Sequence, residues 1–536
     1  MTLLPLIVAA LGGGLLAWAT RNAGRSGTVI GVLALAAVGV LAATLRDPGP
    51  GAVLAGEPVA FPAYARLFLG AGALAGLLVT LLAVALPRWP DAAPPDARRD
   101  APDPGPAFLL FLGAAALALG IVSPVPALLP AAAGGIAGFV AVGRPPGHSR
   151  PRGGRPDEAL AEAEAGVSSL RLGMELFRIA VALAVAITAL ELLVGLADVI
   201  AGEPFGVGVS FLALALAVAL RTGAIPLHGH AARIIEGATR GAVPVLALWG
   251  PSLFALVALA GLEVAVLPLG LPLSLERGVV AGLAALTILA GGIGALAQDD
   301  VDHVVAYSII QDAGFVLLAF AAPDSGAWGP ARTWLLVLPV AKTALLAWAL
   351  VLGRTFGTRS LPELRGWARR APLLAVALAL VALATIGLPG LLSWAARAAL
   401  VRGAFSEPLR TVVLATSLTS ALIVARLLIL GLYRPTPAVD GGPDERLRRP
   451  KPDLRRRVGA TAREALDLNR APVSAALVVA LAMLAAGLGA GLFGLRAAAI
   501  EGPPVAPVPA STTEPAPTFQ PVPAETPAGS EAPAAS

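Results

Sequence analysis

A few polar residues stand where charge is costly. Arg221, Pro226 and His228 close the uncharged run from Phe205 to Leu220, within the stretch RTGAIPLHGHAARIIEGATRGAVP. Lys342 sits near the middle of a second apolar run, and Arg397 follows TIGLPGLLSWAA, where Gly387, Pro389 and Gly390 crowd together. An ionisable side chain inside a membrane span marks an ion or proton pathway by default. Lysine gives up its proton when water is stripped from it, whereas guanidinium holds its charge. An imidazole relays protons near neutral pH. Lys342 and His228 are therefore candidates for the titrating groups of such a path, with Arg221 and Arg397 as fixed positive charge. Lys342 is one of only two lysines, the other being Lys451 in a loop. In a chain so rich in arginine, a lysine kept inside a span is the stronger functional candidate.

The elements that must position these groups are membrane helices. Of the 536 residues, 57% are hydrophobic and 14% charged, against about 25% charged in a soluble domain. Runs of eighteen or more nearly uncharged residues recur along the chain, each long enough to cross ~30 Å of hydrocarbon. The reading is an all-α polytopic membrane protein of about fourteen transmembrane helices. They lie near 3–20, 28–45, 64–87, 106–122, 124–142, 173–200, 205–222, 242–262, 278–297, 304–322, 331–353, 372–402, 409–433 and 472–495. Pro226 and the Gly387–Pro389–Gly390 cluster predict breaks in the seventh and twelfth spans, since proline removes a helical hydrogen bond and clashes with the preceding turn. Paired interruptions at matching places in two halves point to a site built from inverted repeats. Here each broken span is the fourth helix of a five-helix block, spans 4–8 and 9–13. The expected organisation is three N-terminal helices over 1–103, and a first repeat over 104–262 that includes a cytoplasmic surface segment at 143–172. A second repeat over 263–433 follows, then a basic cytoplasmic loop over 434–471, a last helix over 472–496 and a disordered Pro/Ala-rich tail over 497–536.

Arginine and lysine concentrate in the loops after spans 1, 3, 5, 7, 11 and 13, which makes those loops cytoplasmic and both termini extracytoplasmic. The first apolar run is expected to be a retained span. Residues 156–172 read as an acidic surface helix, and 438–470 as a basic segment on the cytoplasmic face. Arg171, Glu175 and Arg178 are spaced for an interfacial ion pair at the inner end of span 6; Glu191 and Asp198 share a face toward its outer end. The net charge of +5 belongs to these loops and carries no implication of nucleic-acid binding. With zero cysteines, disulfides, thiolate metal sites and cysteine-ligated clusters are excluded. No cofactor and no metal site is expected.

Four stretches carry a resemblance. RTGAIPLHGHAARIIEGATRGAVPVLAL resembles the K-x-x-x-x-P-x-H-x-W-x-P-D-A-x-x-x-A-P-x-P-V-x-A signature of the antiporter-like membrane subunits of respiratory complex I (the NADH-quinone oxidoreductase chain M/N type) and of their counterparts in multisubunit cation:proton antiporters. ALAQDDVDHVVAYSIIQDAGFVLLAF looks like their Q-x-D-I-K-R-x-L-A-Y-S-S-I-x-Q-x-G helix, and VAKTALLAWALVLG like their K-A-L-L-F helix. LPELRGWARRAPLLAVALALVALATIGLPGLLSWAARAAL is similar to their broken twelfth helix. The resemblance implies fourteen helices, two inverted five-helix repeats, and a mid-membrane chain formed by a glutamate in span 5, a lysine in span 7, a lysine or histidine in span 8 and a lysine or glutamate in span 12.

Residue by residue this chain departs from that pattern. Arg221 and Arg397 stand at the lysine positions of spans 7 and 12. The basic position of span 8 falls on Gly250 or Phe254, and span 5 holds no acid; the K-A-L-L-F lysine is kept as Lys342, and His228 matches the family histidine. The resemblance implies a proton-translocating membrane subunit of a complex-I-like NADH-quinone oxidoreductase in the inner (plasma) membrane, with no redox site of its own. Other membrane subunits and the lipid bilayer would be its partners, and quinone would be reached only indirectly. The alternatives are a non-conducting structural subunit of such a complex, suggested by the missing glutamate, and a subunit of a multisubunit Na+/H+ antiporter. A stand-alone transporter is disfavoured by the small number of acids in the spans.

Overall fold

The computed structural model describes residues 3–21, 26–48, 51–86, 104–142, 156–195, 204–238, 241–266, 273–322, 327–386, 388–433 and 454–493. The expected tail, the loops at 87–103, 143–155 and 434–453, and Gly387 and Asp198 lie outside the described residues, as do the side chains of Arg171, His230 and Glu236.

Almost all of the described chain is helical, because a backbone in hydrocarbon must satisfy its own hydrogen bonds. The helices are α1 (Leu4–Ala19), α2 (Ser26–Thr44), α3 (Ala63–Ala85), α4 (Gly105–Gly120), α5 (Pro124–Val142), α6 (Pro156–Gly195), α7 (Pro204–Thr222), α8 (His230–Gly237) and α9 (Gly250–Val266). They continue with α10 (Ser274–Ala297), α11 (Val301–Ala321), α12 (Trp328–Phe356), α13 (Trp367–Arg370), α14 (Pro372–Thr385), α15 (Leu392–Ala404), α16 (Leu409–Ser417), α17 (Thr419–Leu432) and α18 (Leu454–Ala490). A π-helical turn, Val245–Trp249, leads into α9, and one small hairpin pairs Val53–Leu54 with Glu57–Pro58. Ten stretches are long and apolar enough to cross a membrane, and four shorter apolar helices accompany them. This is a polytopic helical membrane protein.

Burial sorts the helices into a centre and a rim. The spanning windows at Val245–Ala265 and Val301–Ala321 are 94% buried and that of Trp328–Phe356 is 89% buried, against 28% for Ser26–Thr44. The outer helices turn large apolar side chains outward, among them Leu33, Val40, Phe205 and Leu275. That arrangement suits hydrocarbon on the outside, with polar groups moved to the middle. Aromatic rings wedge the centre: Trp249 stands edge-on to Phe68 and Phe111, with ring centroids 5.3 and 6.2 Å away.

Two helices extend beyond their apolar spans. α6 runs unbroken from Pro156 to Gly195, so the helix expected at 156–172 is continuous with the spanning stretch Gly173–Val194. α18 begins at Leu454, ahead of its spanning stretch Pro472–Ala490, and carries Pro472 inside it. In both places the hydropathy falls away where charge begins, but Ala, Glu, Leu and Arg are good helix formers and carry the helix on. The border drawn between 262 and 263 likewise falls within α9.

Candidate functional site

The two interruptions are built alike. α7 stops at Thr222, and turns carry the chain through Pro226 to α8. α14 stops at Thr385, and the chain passes Pro389 and Gly390 in a turn before α15 begins at Leu392. Gly390 has a φ of 99°, in the region that favours glycine. Thr222 and Thr385 are the last residues of their helices; both are buried, and each hydroxyl donates to the carbonyl four residues back, Val218 at 2.8 Å and Val381 at 2.9 Å.

The second break is held by Arg397. One guanidinium nitrogen donates to the Thr385 carbonyl at 2.6 Å and to the Ile386 carbonyl at 2.9 Å. These are groups that the end of a helix leaves without intrahelical partners. The same guanidinium lies 4.3 Å from the centroid of Phe315 and 5.4 Å from that of Trp334. A buried cation is thus satisfied by carbonyl dipoles and ring faces. It also lies within reach of the charge of Asp312.

Lys342 lies on α12, three residues past Pro339, and is 4% exposed. Its Nζ stands 2.7 Å from Asp312 Oδ2 and donates to Ser308 Oγ at 3.1 Å, both on α11. Asp312 is 1% exposed. Leaving either charge alone in this interior would cost on the order of 3–5 kcal/mol, so the lysine and the aspartate are each other's condition for being there. Gln311, next to Asp312, donates to Thr419 Oγ1 at 2.6 Å and accepts from Ser420 Oγ at 3.0 Å, which pins α11 against α17.

Arg221 is placed differently. It is 1% exposed, and one Nη donates to the Leu246 carbonyl of the π-turn at a long 3.5 Å. Its other Nη fills the space that side chains at Gly135 of α5 and Gly250 of α9 would otherwise take. Those are the two helices in which the resemblance implies a glutamate and a basic residue. The Arg221 charge is felt by the carboxylate of Glu175, which is paired with Arg178 at 2.9 Å. His228 lies exposed in the turns between α7 and α8. Glu191 is exposed on α6.

Two acids in the interior were not singled out by sequence reading. Asp312 was hidden within a quoted motif, where its neighbour Gln311 took the attention. Glu263 fell one residue beyond the expected end of span 8; it forms a buried pair with Arg332 of α12, and the Arg332 carbonyl accepts a 3.0 Å bond from the Tyr64 hydroxyl. A carboxylate in the middle of an uncharged run was the available signal for Asp312. The expectation of few acids in the spans is revised accordingly. The charge that meets Lys342 is the carboxylate of Asp312. Among the described residues no group of three or more His, Cys, Asp and Glu is placed to hold a metal.

Comparison with known proteins matches this frame. The family described as NADH:quinone oxidoreductase/Mrp antiporter, TM, matches residues 176–423. NADH-quinone oxidoreductase subunit N of Geobacillus kaustophilus is 27% identical over 251 residues, 44% of this chain and 50% of that one. Its counterpart of the same name in Acidothermus cellulolyticus is 32% identical over 171 residues, 31% of this chain and 32% of that one. The chain therefore spans about a third to a half of the length of the curated relatives it matches. Among solved structures, a chain of respiratory complex I from Thermus thermophilus with bound Aureothin superposes with a TM-score of 0.61 at 19% identity, covering 93% of this chain and 99% of that chain. A chain of the Mrp complex from Dietzia sp. gives 0.60 at 17% identity, covering 93% and 99%. These structural likenesses speak for the fold. The motifs, the helical frame and these matches converge on a polytopic helical membrane protein whose residues 176–423 match the family described as NADH:quinone oxidoreductase/Mrp antiporter, TM.

Proposed function

We propose that the chain is a proton-translocating membrane subunit of a complex-I-like NADH-quinone oxidoreductase, and that its second half carries the titrating site. The observation that carries this reading is the buried Lys342–Asp312 pair, on two of the three most enclosed spans. A lysine with a carboxylate partner stays charged, and releases its proton only when that carboxylate is neutralised or drawn away. Arg397, within reach of Asp312, is a competing cation. Arg221 supplies fixed charge in the first half, where no acid lies on span 5.

The finer architecture belongs to the same proposal: fourteen spans, two inverted five-helix repeats over spans 4–8 and 9–13, both termini extracytoplasmic, and other membrane subunits as partners. The relatives named as NADH-quinone oxidoreductase subunit N support the electron-transfer assembly. One observation favours a second reading: the Arg221 guanidinium fills the space beside Gly135 of α5 and Gly250 of α9, as expected of a subunit that has lost conduction in that half and serves in part as scaffold. An Mrp-type antiporter subunit is the other assembly compatible with the family.

The test is proton pumping by the purified assembly in vesicles, driven by its electron donor. Lys342→Ala is expected to abolish translocation while the complex still assembles. Translocation at the wild-type level in that variant refutes the reading. Purification of the chain alone from native membranes refutes the assembly.

A further inference from the structure

A groove of about 500 Å3 lies between α17, the junction of α10 with α11, and the 357–366 loop. Small-molecule sites occupy ~300–1,000 Å3. One wall is α17, where Leu422, Ala425 and Ile429 follow each other at helical spacing on a single face. Leu422 and Ile429 are 57% and 53% exposed. Their spanning stretch, Leu409–Leu432, is 24% buried, the lowest share of the ten. This wall therefore looks onto hydrocarbon. The opposite wall is Leu361 and Pro362, from the loop that follows α12. That loop is docked firmly on α17. Trp367 Nε1 donates to the Leu427 carbonyl at 3.1 Å, and the Gly366 N–H to the Leu430 carbonyl at 3.0 Å. The Trp367 ring lies where a side chain at Gly431 would collide with it. The groove is thus a preformed feature of the bundle.

Three charged side chains line the same groove. Arg426 is fully engaged: it donates to the Leu296 and Gln298 carbonyls at 2.6 and 2.7 Å, and meets Asp299 Oδ1 at 3.0 Å. Asp299 is 77% exposed, and that pair leaves its Oδ2 open. Arg365 is exposed, and its guanidinium has no hydrogen-bond or ion-pair partner among the described residues.

We propose that this groove binds an aminophospholipid, with the phosphodiester on Arg365, the headgroup ammonium on Asp299, and one acyl chain along Leu422, Ala425 and Ile429. The chemistry of the groove selects this occupant. A guanidinium matches a phosphate with paired N–H donors, and basic pockets between helices at the membrane surface take lipid headgroups. The open carboxylate oxygen of Asp299 calls for a cation with N–H donors. An anionic headgroup without an amine satisfies Arg365 but sets its own charge against Asp299. An apolar helix from another protein fits the α17 stripe but leaves both charges unmatched. A headgroup carrying phosphate and ammonium answers both signs, and its acyl chain continues the apolar stripe into the hydrocarbon. The site is independent of conduction at Lys342 and needs only that the chain lie in a bilayer.

The experiment places the protein, purified with its partners from native membranes, in nanodiscs of equal parts phosphatidylethanolamine and phosphatidylglycerol. A trace of one lipid or the other carries a photoactivatable acyl chain, and the adducts are mapped by peptide mass. Peptides bearing Leu33 and Val40, both exposed on α2, report contact with bulk lipid. The peptide bearing residues 422–430 is expected to take at least fivefold more label from phosphatidylethanolamine than from phosphatidylglycerol, against a ratio near one on α2. Arg365→Ala is expected to bring the groove down to the α2 level, and Arg365→Lys to keep most of the label. Asp299→Asn is expected to keep the label but erase the preference for the amine. Equal labelling of the groove by the two lipids in the wild-type protein means bulk lipid only and overturns the site. Preference for phosphatidylglycerol overturns the pairing of ammonium with Asp299, and with it the proposal. A groove that stays unlabelled while α2 is labelled is covered by a neighbouring protein, which also overturns it.

Discussion

The Arg397 guanidinium closes the end of α14 by donating to the Thr385 carbonyl at 2.6 Å, from a position twelve residues further on. One side chain thereby does the work of the missing turn between α14 and α15. Arg397→Gln removes the charge and shortens the reach, leaving the Thr385 and Ile386 carbonyls unsatisfied in a buried site. Each such group costs about 1–3 kcal/mol. The variant is expected to lower the thermal unfolding midpoint of the purified complex by several degrees. Arg397→Lys should recover only part of this, since an ammonium cannot spread over two carbonyls and two rings at once. Full stability in Arg397→Gln contradicts the capping role.

In the first half, space decides. A methyl group at Gly135 or at Gly250 would run into the Arg221 guanidinium. Gly135→Ala and Gly250→Ala are expected to destabilise the protein by about 1–3 kcal/mol each through overpacking, and Arg221→Met combined with either should relieve most of that cost. The measurement is a double-mutant cycle on thermal unfolding in detergent. Strict additivity of Gly135→Ala and Arg221→Met counts against the wedge.

Much of the frame was legible in the sequence, for identifiable reasons. The spans announce themselves because hydrocarbon forbids charge over ~20 residues, and the breaks because Pro226 and Pro389 cannot donate a helical hydrogen bond. Lys342 stood out by type alone. What stayed hidden were partners. Asp312 and Lys342 are 30 residues apart in the chain, and only the packing of α11 on α12 shows that the lysine meets an acid. The role of Gly135 and Gly250 was equally invisible, because a glycine announces what a helix lacks but not which side chain arrives to fill the gap. The helical character of 156–172 was legible in its Ala and Glu content, whereas that of 454–471, rich in Arg and read as a loop, was not.

At the rim, Asp300 caps α11: its carboxylate accepts from the backbone N–H of Asp302 at 2.8 Å and of His303 at 3.3 Å. Partial burial raises its pKa, but these bonds and the adjacent His303 side chain outweigh that and hold it below the ordinary aspartate value. A lowered folded-state pKa contributes stability that is present above the unfolded pKa and is lost as pH falls through the folded one. Asp300→Ala is therefore expected to cost roughly 0.5–2 kcal/mol at neutral pH, the usual range for an N-cap. The gap to wild type should narrow as pH drops below the aspartate range. A gap that widens on acidification contradicts the assignment.

The central claim is that Lys342 works by titration beside Asp312, not as a fixed charge. Lys342→Arg separates the two, because it preserves the positive partner for Asp312 while keeping its proton under all conditions. The measurement is proton translocation per electron transferred, in vesicles containing the intact assembly. The account expects Lys342→Arg to assemble and to lose the translocation that depends on this subunit. Translocation equal to wild type would mean that Lys342 is only a fixed charge, and the titrating role assigned to it would be wrong.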